Sequence, residues 1–186
     1  MSPVRDTAAG TSADASAAGP VPWLDDAQLH DWRSLMSLVA VLPSALDTQL
    51  KRDAGVNAFE YHVLAALSEA PERTLQLSDL AHLSRGSLSR LSHAVTRLER
   101  DGWLTRTLCT GDGAGRRVEA RLTEAGWAKI RETAPGHVRE ARRLVVDVLS
   151  EAELRTLGAA ARKVAKAAGL DLESCDGDAT CAGPSC

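Results

Sequence analysis

Ser89, Arg90, His93 and Arg97 carry the clearest chemical pattern in this chain. They recur at three- and four-residue spacing between Ser84 and Arg100, and Leu88, Leu91, Val95 and Leu98 recur at similar spacing among them. In a helix of roughly 3.6 residues per turn these sets fall on opposite faces, one a narrow apolar seam, the other hydrogen-bond donors and positive charge. Guanidinium forks match phosphate oxygens and guanine edges. Hydroxyls and backbone N–H groups near a helix N-terminus suit phosphate, which adds Ser87 to the set beside Ser89. The spacing predicts a helix that lies on a polar, negative surface. An ordinary amphipathic surface helix, with solvated arginines or with Arg97 paired to Asp101, explains the same residues taken alone.

Thiols form the second group. Cys109 stands alone, whereas Cys175, Cys181 and Cys186 crowd a short tail with five and four residues between them. No C-x-x-C occurs, so neither a zinc knuckle nor a thioredoxin motif is present. Two readings of these four cysteines stand: a redox switch or a soft-metal or iron–sulfur site, and a tail with incidental thiols. His30, His62, His82 and His137 show no ligand spacing and read as structural or surface residues. The run Gly111-Asp112-Gly113-Ala114-Gly115 departs from G-x-G-x-x-G and precedes a strand pattern, so it reads as a hairpin tip. G-x-S-x-G, H-E-x-x-H and paired carboxylates are all missing from the sequence, so the chain is expected not to be an enzyme. A thiol-dependent enzyme built on the cysteines is the alternative from another class. No cofactor is expected outside the metal or iron–sulfur reading.

The flanking elements give the arginine helix its context. Ser78–Leu83 reads as a short helix with Leu80 and Leu83 inward, Ser84–Gly86 as a turn, and Ser84 as the cap of a helix running to Arg100. Asp101-Gly102 ends that helix. Trp103–Leu108 then reads as a strand. In Arg117–Leu122, Val118, Ala120 and Leu122 alternate with Arg117, Glu119 and Arg121 at period two. Helix, turn, helix and hairpin in this order describe a winged helix-turn-helix, a shape that fits the grooves of duplex DNA. A very short strand is expected at Leu75–Leu77.

Outside this unit the pattern is helical. Leu35, Val39, Leu42, Leu46 and Leu50 stripe a long segment from about Asp25, with Pro43 expected to kink or break it and Asp53 and Gly55 to end it. Asn57 with Glu60 makes a capping box before Phe59, Val63, Leu64 and Leu67. Thr123 caps a helix bearing Trp127, Ile130, Ala134, Ala141, Val145 and Val148, bent at Pro135-Gly136. Ser150 with Glu153 opens a last helix that Gly169 ends. Aromatic residues make up only 3% of the chain, so the core must rest on Leu, Val and Ala, which suits packed helices. Residues 1–22 are rich in Ala, Ser, Gly and Thr and are expected to be disordered.

The 186 residues carry a net charge of −3, so no global attraction to nucleic acid exists. The charge is unevenly placed: Arg85 to Arg121 holds eight arginines against four acidic residues, while Ala167 to Cys186 holds no basic residue. Nothing is long and apolar enough to span a bilayer, and Met1–Pro20 lacks the apolar block of a signal peptide. A cytoplasmic protein with reduced cysteines is expected.

Three runs, in order and at these spacings, resemble the MarR family of bacterial transcription regulators. They are Leu77-Ser78-Asp79-Leu80-Ala81; Ser87-Leu88-Ser89-Arg90-Leu91-Ser92-His93 with Arg97-Leu98-Glu99-Arg100-Asp101-Gly102-Trp103-Leu104; and Arg116-Arg117 leading into Arg121-Leu122-Thr123-Glu124-Ala125-Gly126. The resemblance covers about Asp25 to Ala168. It implies a homodimer whose recognition helices and wings address a near-palindromic operator in double-stranded DNA. It also implies a small-molecule effector, of unknown identity, bound between the dimer and DNA-binding regions, and most simply a repressor released by that effector. A redox or metal-sensing regulator using the cysteines is the alternative. The fold implied is mainly α with a small β-hairpin wing: a winged helix-turn-helix at about 56–123 with long dimerisation helices at about 25–52 and 124–168. Together these make a domain over 23–170, followed by an acidic cysteine-containing tail over 171–186. Arg85, Ser87, Ser89, Arg90, His93, Arg97, Arg116 and Arg117 are the implied DNA contacts. The family's wing tip has one residue between an Asp and the groove-inserting Arg. Here Asp112-Gly113-Ala114-Gly115-Arg116 looks like a two-residue insertion between them.

Overall fold

The computed structural model describes residues 21–111 and 114–170, with residues 109–111 and 114–116 described by their backbone alone. Helix α1 spans Asp26–Ala54, and α2 spans Ala58–Glu69. A three-residue 3-10 turn, Pro71–Arg73, leads into strand β1, Thr74–Gln76, and directly into α3, Leu77–Leu83. Helix α4 spans Leu88–Arg100, strands β2 and β3 span Leu104–Gly111 and Ala114–Leu122, and α5 spans Glu124–Ala141. A π-helical turn, Arg142–Val146, separates α5 from α6, Glu151–Ala167. Neither Pro43 nor Pro135 breaks its helix. Each removes a single N–H from the helical ladder.

Local signals set the helix boundaries. The capping box before α2 is complete: the Glu60 N–H donates to Asn57 Oδ1 at 2.9 Å and the Asn57 N–H donates to Glu60 Oε2 at 3.0 Å. The same reciprocal pair forms between Ser150 and Glu153 at the start of α6. At α4 the sequence expectation is corrected. Ser87, not Ser84, is the cap, its Oγ accepting from the Arg90 N–H at 3.2 Å. Ser84 is buried and donates back to the Leu80 carbonyl at 2.5 Å, which closes α3 instead. Arg85 then takes a left-handed φ of 54°, and the chain needs two further residues before it can re-enter a helix.

The chain divides into two compact units, Met1–Val39 and Ala40–Cys186. In the first, the described part of α1 exposes Trp32, Leu35, Met36, Leu38 and Val39. The second contains the core. Leu50 of α1, Val63, Leu64 and Leu67 of α2, Leu80 of α3, and Leu91, Val95 and Leu98 of α4 are all essentially inaccessible to water. They meet Leu104 of β2 and Ala120 and Leu122 of β3 in one apolar cluster. Leu88 does not join it. At 62% exposure it projects from the first turn of α4, so the expected seam of four begins at Leu91 and is completed by buried Ala94.

The sheet has the order β1-β3-β2, all antiparallel. The β1 strand starts one residue before the expected Leu75 and pairs Leu75 with Ala120. The wing pairs Leu104 with Leu122 and continues to Cys109 opposite Arg117, with a register irregularity between Cys109 and Gly111. The joint with α5 explains the Leu122-Thr123-Glu124-Ala125-Gly126 run. Thr123 Oγ1 accepts from the Gly126 N–H at 3.0 Å and donates to the Gly102 carbonyl at 2.7 Å. A Cβ on Gly126 would lie 2.0 Å from the Trp103 carbonyl oxygen, so only glycine lets α5 begin this close to the strand.

Candidate nucleic-acid interface

Helix α4 presents Ser89, Arg90, His93 and Arg97 to solvent, as their spacing predicts, together with exposed Arg85 and Ser87 at its N-terminal side. The two arginines are not free chains. The Arg90 guanidinium lies over the Phe59 ring at 4.3 Å from the centroid, and Phe59 itself is buried. A ring beneath a guanidinium plane restricts its rotamers while leaving its N–H edge available. Phe59 in turn packs on the turn before α4, where a Cβ on Gly86 would meet two ring carbons at 2.4 Å. Glycine at that turn lets the recognition helix sit directly on the start of α2.

Arg97 is held differently. Its Nη1 is 3.2 Å from Oε1 of Glu60, a carboxylate whose side chain is only 3% exposed. The sequence-based alternative of an Arg97–Asp101 pair is not what forms: Asp101 takes Arg100 instead, at 2.9 Å. Glu60 has a further neighbour in the same region. Asp47 of α1 accepts from the Ala58 N–H at 2.8 Å and pairs with Lys51 at 2.6 Å. The Ala58 N–H, followed by Lys51, holds the Asp47 carboxyl below its ordinary value. Helix α2 thus begins with two carboxylates at its positive end. A cleft of about 540 Å³ opens here, lined by Asp47, Lys51, Phe59, Glu60, Arg90 and Arg97 among others.

The wing is tied to α4 by a pair that sequence reasoning missed. Glu99 near the end of α4 accepts from the Arg106 N–H at 3.0 Å and from Arg106 Nε at 2.8 Å, with a further contact to Arg106 Nη2. Those hydrogen bonds hold the Glu99 carboxyl below its ordinary value. A doubly bonded carboxylate between helix and strand fixes the hairpin's angle against the recognition helix. Arg117 is exposed on β3, while Arg116 is placed by its backbone in the same strand.

The remaining candidates are not gathered. Cys109 is paired by backbone register with Arg117, and Cys175, Cys181, Cys186 and Asp112 lie outside the described residues. Among the described residues no group of three His, Cys, Asp or Glu is placed to hold a metal. His62 and His137, read from sequence as unrelated, flank Tyr61, with ring centroids 6.0 and 4.5 Å from it. No described helix is long and apolar enough to cross a membrane.

The MarR family model matches residues 56–113, from the start of α2 into the wing. The solved structure of Sco3205, a MarR family transcriptional regulator from Streptomyces coelicolor in complex with DNA, is 40% identical. The match covers 78% of this chain and 93% of that one, with a TM-score of 0.74. The chain belongs to the MarR family. A second MarR family regulator from Streptomyces coelicolor, AbsC, is 32% identical over 80% of this chain and 99% of its own, again with a TM-score of 0.74. The PcaV regulator, also from Streptomyces coelicolor, shares the fold at 24% identity and a TM-score of 0.62, over 80% of this chain and 99% of its own. No curated protein matches the chain. MarR membership accounts for the joined helix-turn-helix and wing. It does not by itself account for Glu60, which no motif in the sequence marks as more than a capping residue.

Proposed function

We propose that this MarR family chain is a homodimeric repressor that reads a near-palindromic operator through α4 and the β2–β3 wing and is released by a small-molecule effector. The observation that carries the reading is the exposed Ser89–Arg90–His93–Arg97 face, with both arginines held in place and the wing locked beside it by Glu99 and Arg106. Such a face meets major-groove edges and phosphates, while Arg116 and Arg117 bring charge to the backbone or minor groove. The DNA complex of the 40% identical Sco3205 supports the same use of this fold. In this reading Arg85, Ser87 and Ser89 contact phosphate and Arg90 and Arg97 reach base edges.

The cleft between α1, α2 and α4 suits the effector. A ligand there competes with DNA for the same arginines, because Arg90 and Arg97 line it. Selection of duplexes from a randomised library by the full chain, followed by footprinting, tests the proposal. A two-fold symmetric sequence with half-sites about one helical turn apart is the expected result. Failure to enrich any sequence overturns it.

A further inference from the structure

Glu60 does two things at once. Its Oε2 accepts from the Asn57 N–H at 3.0 Å and its Oε1 faces Arg97 Nη1 at 3.2 Å. The first bond anchors the carboxylate to the N-terminus of α2, so its position is set by backbone and not by the arginine. The second contact is an ion pair and not a hydrogen bond, and it draws one end of a guanidinium that remains 54% exposed toward the carboxylate. A buried carboxylate is costly without a partner, so the pair is maintained. Arg90, in contrast, is held by an uncharged ring. The two arginines of one reading face are therefore held differently: Arg97 is in direct contact with a buried carboxylate, whereas Arg90 stacks on a ring and meets the Asp47 carboxylate only through a weaker, longer-range attraction.

We propose that Glu60 is a positioning residue for sequence discrimination: it fixes the direction of the free Arg97 N–H groups and offsets its charge, so that Arg97 discriminates between sequences without adding general affinity for phosphate. The inference rests on the DNA-reading function proposed above. General affinity comes from uncompensated cations that release counterions, and each such cation steepens the salt dependence. An arginine already paired with a buried carboxylate releases few. What it retains is a fork of aimed donors, the part that reads a base edge.

The test uses the full chain, the duplex it selects from a randomised library, and a scrambled duplex of equal length. Glu60→Gln keeps an acceptor for the Asn57 N–H and removes the charge. The preference for the selected duplex is expected to fall by about five- to a hundredfold. Affinity for the scrambled duplex should hold or rise, and the slope of log K against log salt on it should steepen by about 0.9. Asn57→Ala breaks the same cap without touching the ion pair; it should lower thermal stability and leave the preference intact. The double change Glu60→Gln with Arg97→Gln leaves no lone buried charge, so it stays informative if the single variant does not fold. It should lose the preference while keeping the parent's slope on the scrambled duplex. A proportional loss on both duplexes in Glu60→Gln, an unchanged preference, or a slope reduced by about 0.9 in the double variant overturns the inference. A parent chain that enriches no sequence overturns the DNA-reading function, and with it this inference. A parent that enriches one while Glu60→Gln behaves as parent overturns the Glu60 role alone.

Discussion

Arg90 and Arg116 stand for two kinds of contact that a residue-level experiment separates. Arg90→Ala removes a guanidinium stacked on Phe59 and is expected to cost about 1–3 kcal/mol of specific binding and relax one operator position. Arg116→Ala should weaken binding to every sequence alike and reduce the salt slope by about 0.9. Gel-shift titrations at several salt concentrations check both; unchanged affinity in either variant removes that residue from the DNA surface. The face itself was legible because helical spacing alone groups Ser89, Arg90, His93 and Arg97. Their supports were not. Phe59 and Glu60 are more than thirty positions earlier and became partners only when α2 and α4 packed together. The same holds for His62 and His137, which flank Tyr61 from α2 and α5. Burial is the leading cause that holds both imidazoles below their ordinary value, and His137 with Arg85 and Arg90 adds repulsion at His62. Their neutral forms belong to the fold, whereas the unfolded chain takes up protons near pH 6.5. The stability they carry is therefore complete above about pH 6.5 and lost as pH falls through their lower folded values. Thermal melts should decline as pH falls below about 6.5, ahead of the carboxylates Asp47 and Glu99, and His137→Gln should flatten that decline. An identical pH profile in the variant would exclude the pair as its source.

Among the elements, α4 shows how a good periodicity is trimmed by geometry. Leu88, Leu91, Val95 and Leu98 have the spacing of one seam, but the first helical residue lies beyond the edge of the core and stays 62% exposed. Leu91→Ala is expected to cost about 2–5 kcal/mol of stability, because the side chain is 1% exposed and its neighbours cannot collapse freely. Leu88→Ala should stay within about 0.5 kcal/mol. Chemical denaturation of the two variants checks this; equal costs would show that the helix face is misassigned. Both capping boxes were legible because Asn57–Glu60 and Ser150–Glu153 are three residues apart and act on their own helix. The start of α4 was not, since both Ser84 and Ser87 are good caps and the choice depends on Arg85 adopting a left-handed backbone. Glycine-containing joints were visible as motifs, yet their cause lies in distant atoms: Phe59 for Gly86 and the Trp103 carbonyl for Gly126.

At the scale of the whole molecule, each of the two compact units exposes apolar side chains along a helix. In α1, Trp32, Leu38, Val39 and Val41 are 40–66% exposed, and α6 contains no buried residue although Leu157 and Val164 are large and apolar. Isolated exposed leucines need no explanation, but apolar positions repeated along a helix suit the association surface that the proposed homodimer needs. The proposed dimer supplies the cover, and two-fold symmetry would set the recognition helices about 34 Å apart, one turn of duplex. Sedimentation of the full chain at micromolar concentration should show a dimer. Introducing charge with Leu157→Glu and Val164→Glu should shift it toward monomer, because a charged carboxylate in an apolar interface is costly to desolvate. The core around Leu64, Leu91 and Leu104 contains no α6 residue, so the near-native circular dichroism of that core should survive. Operator binding should fall toward that of a single half-site, since each protomer then binds without its neighbour. A parent chain that sediments as a stable monomer, or a charged variant that remains dimeric, would place the association surface elsewhere or abolish it.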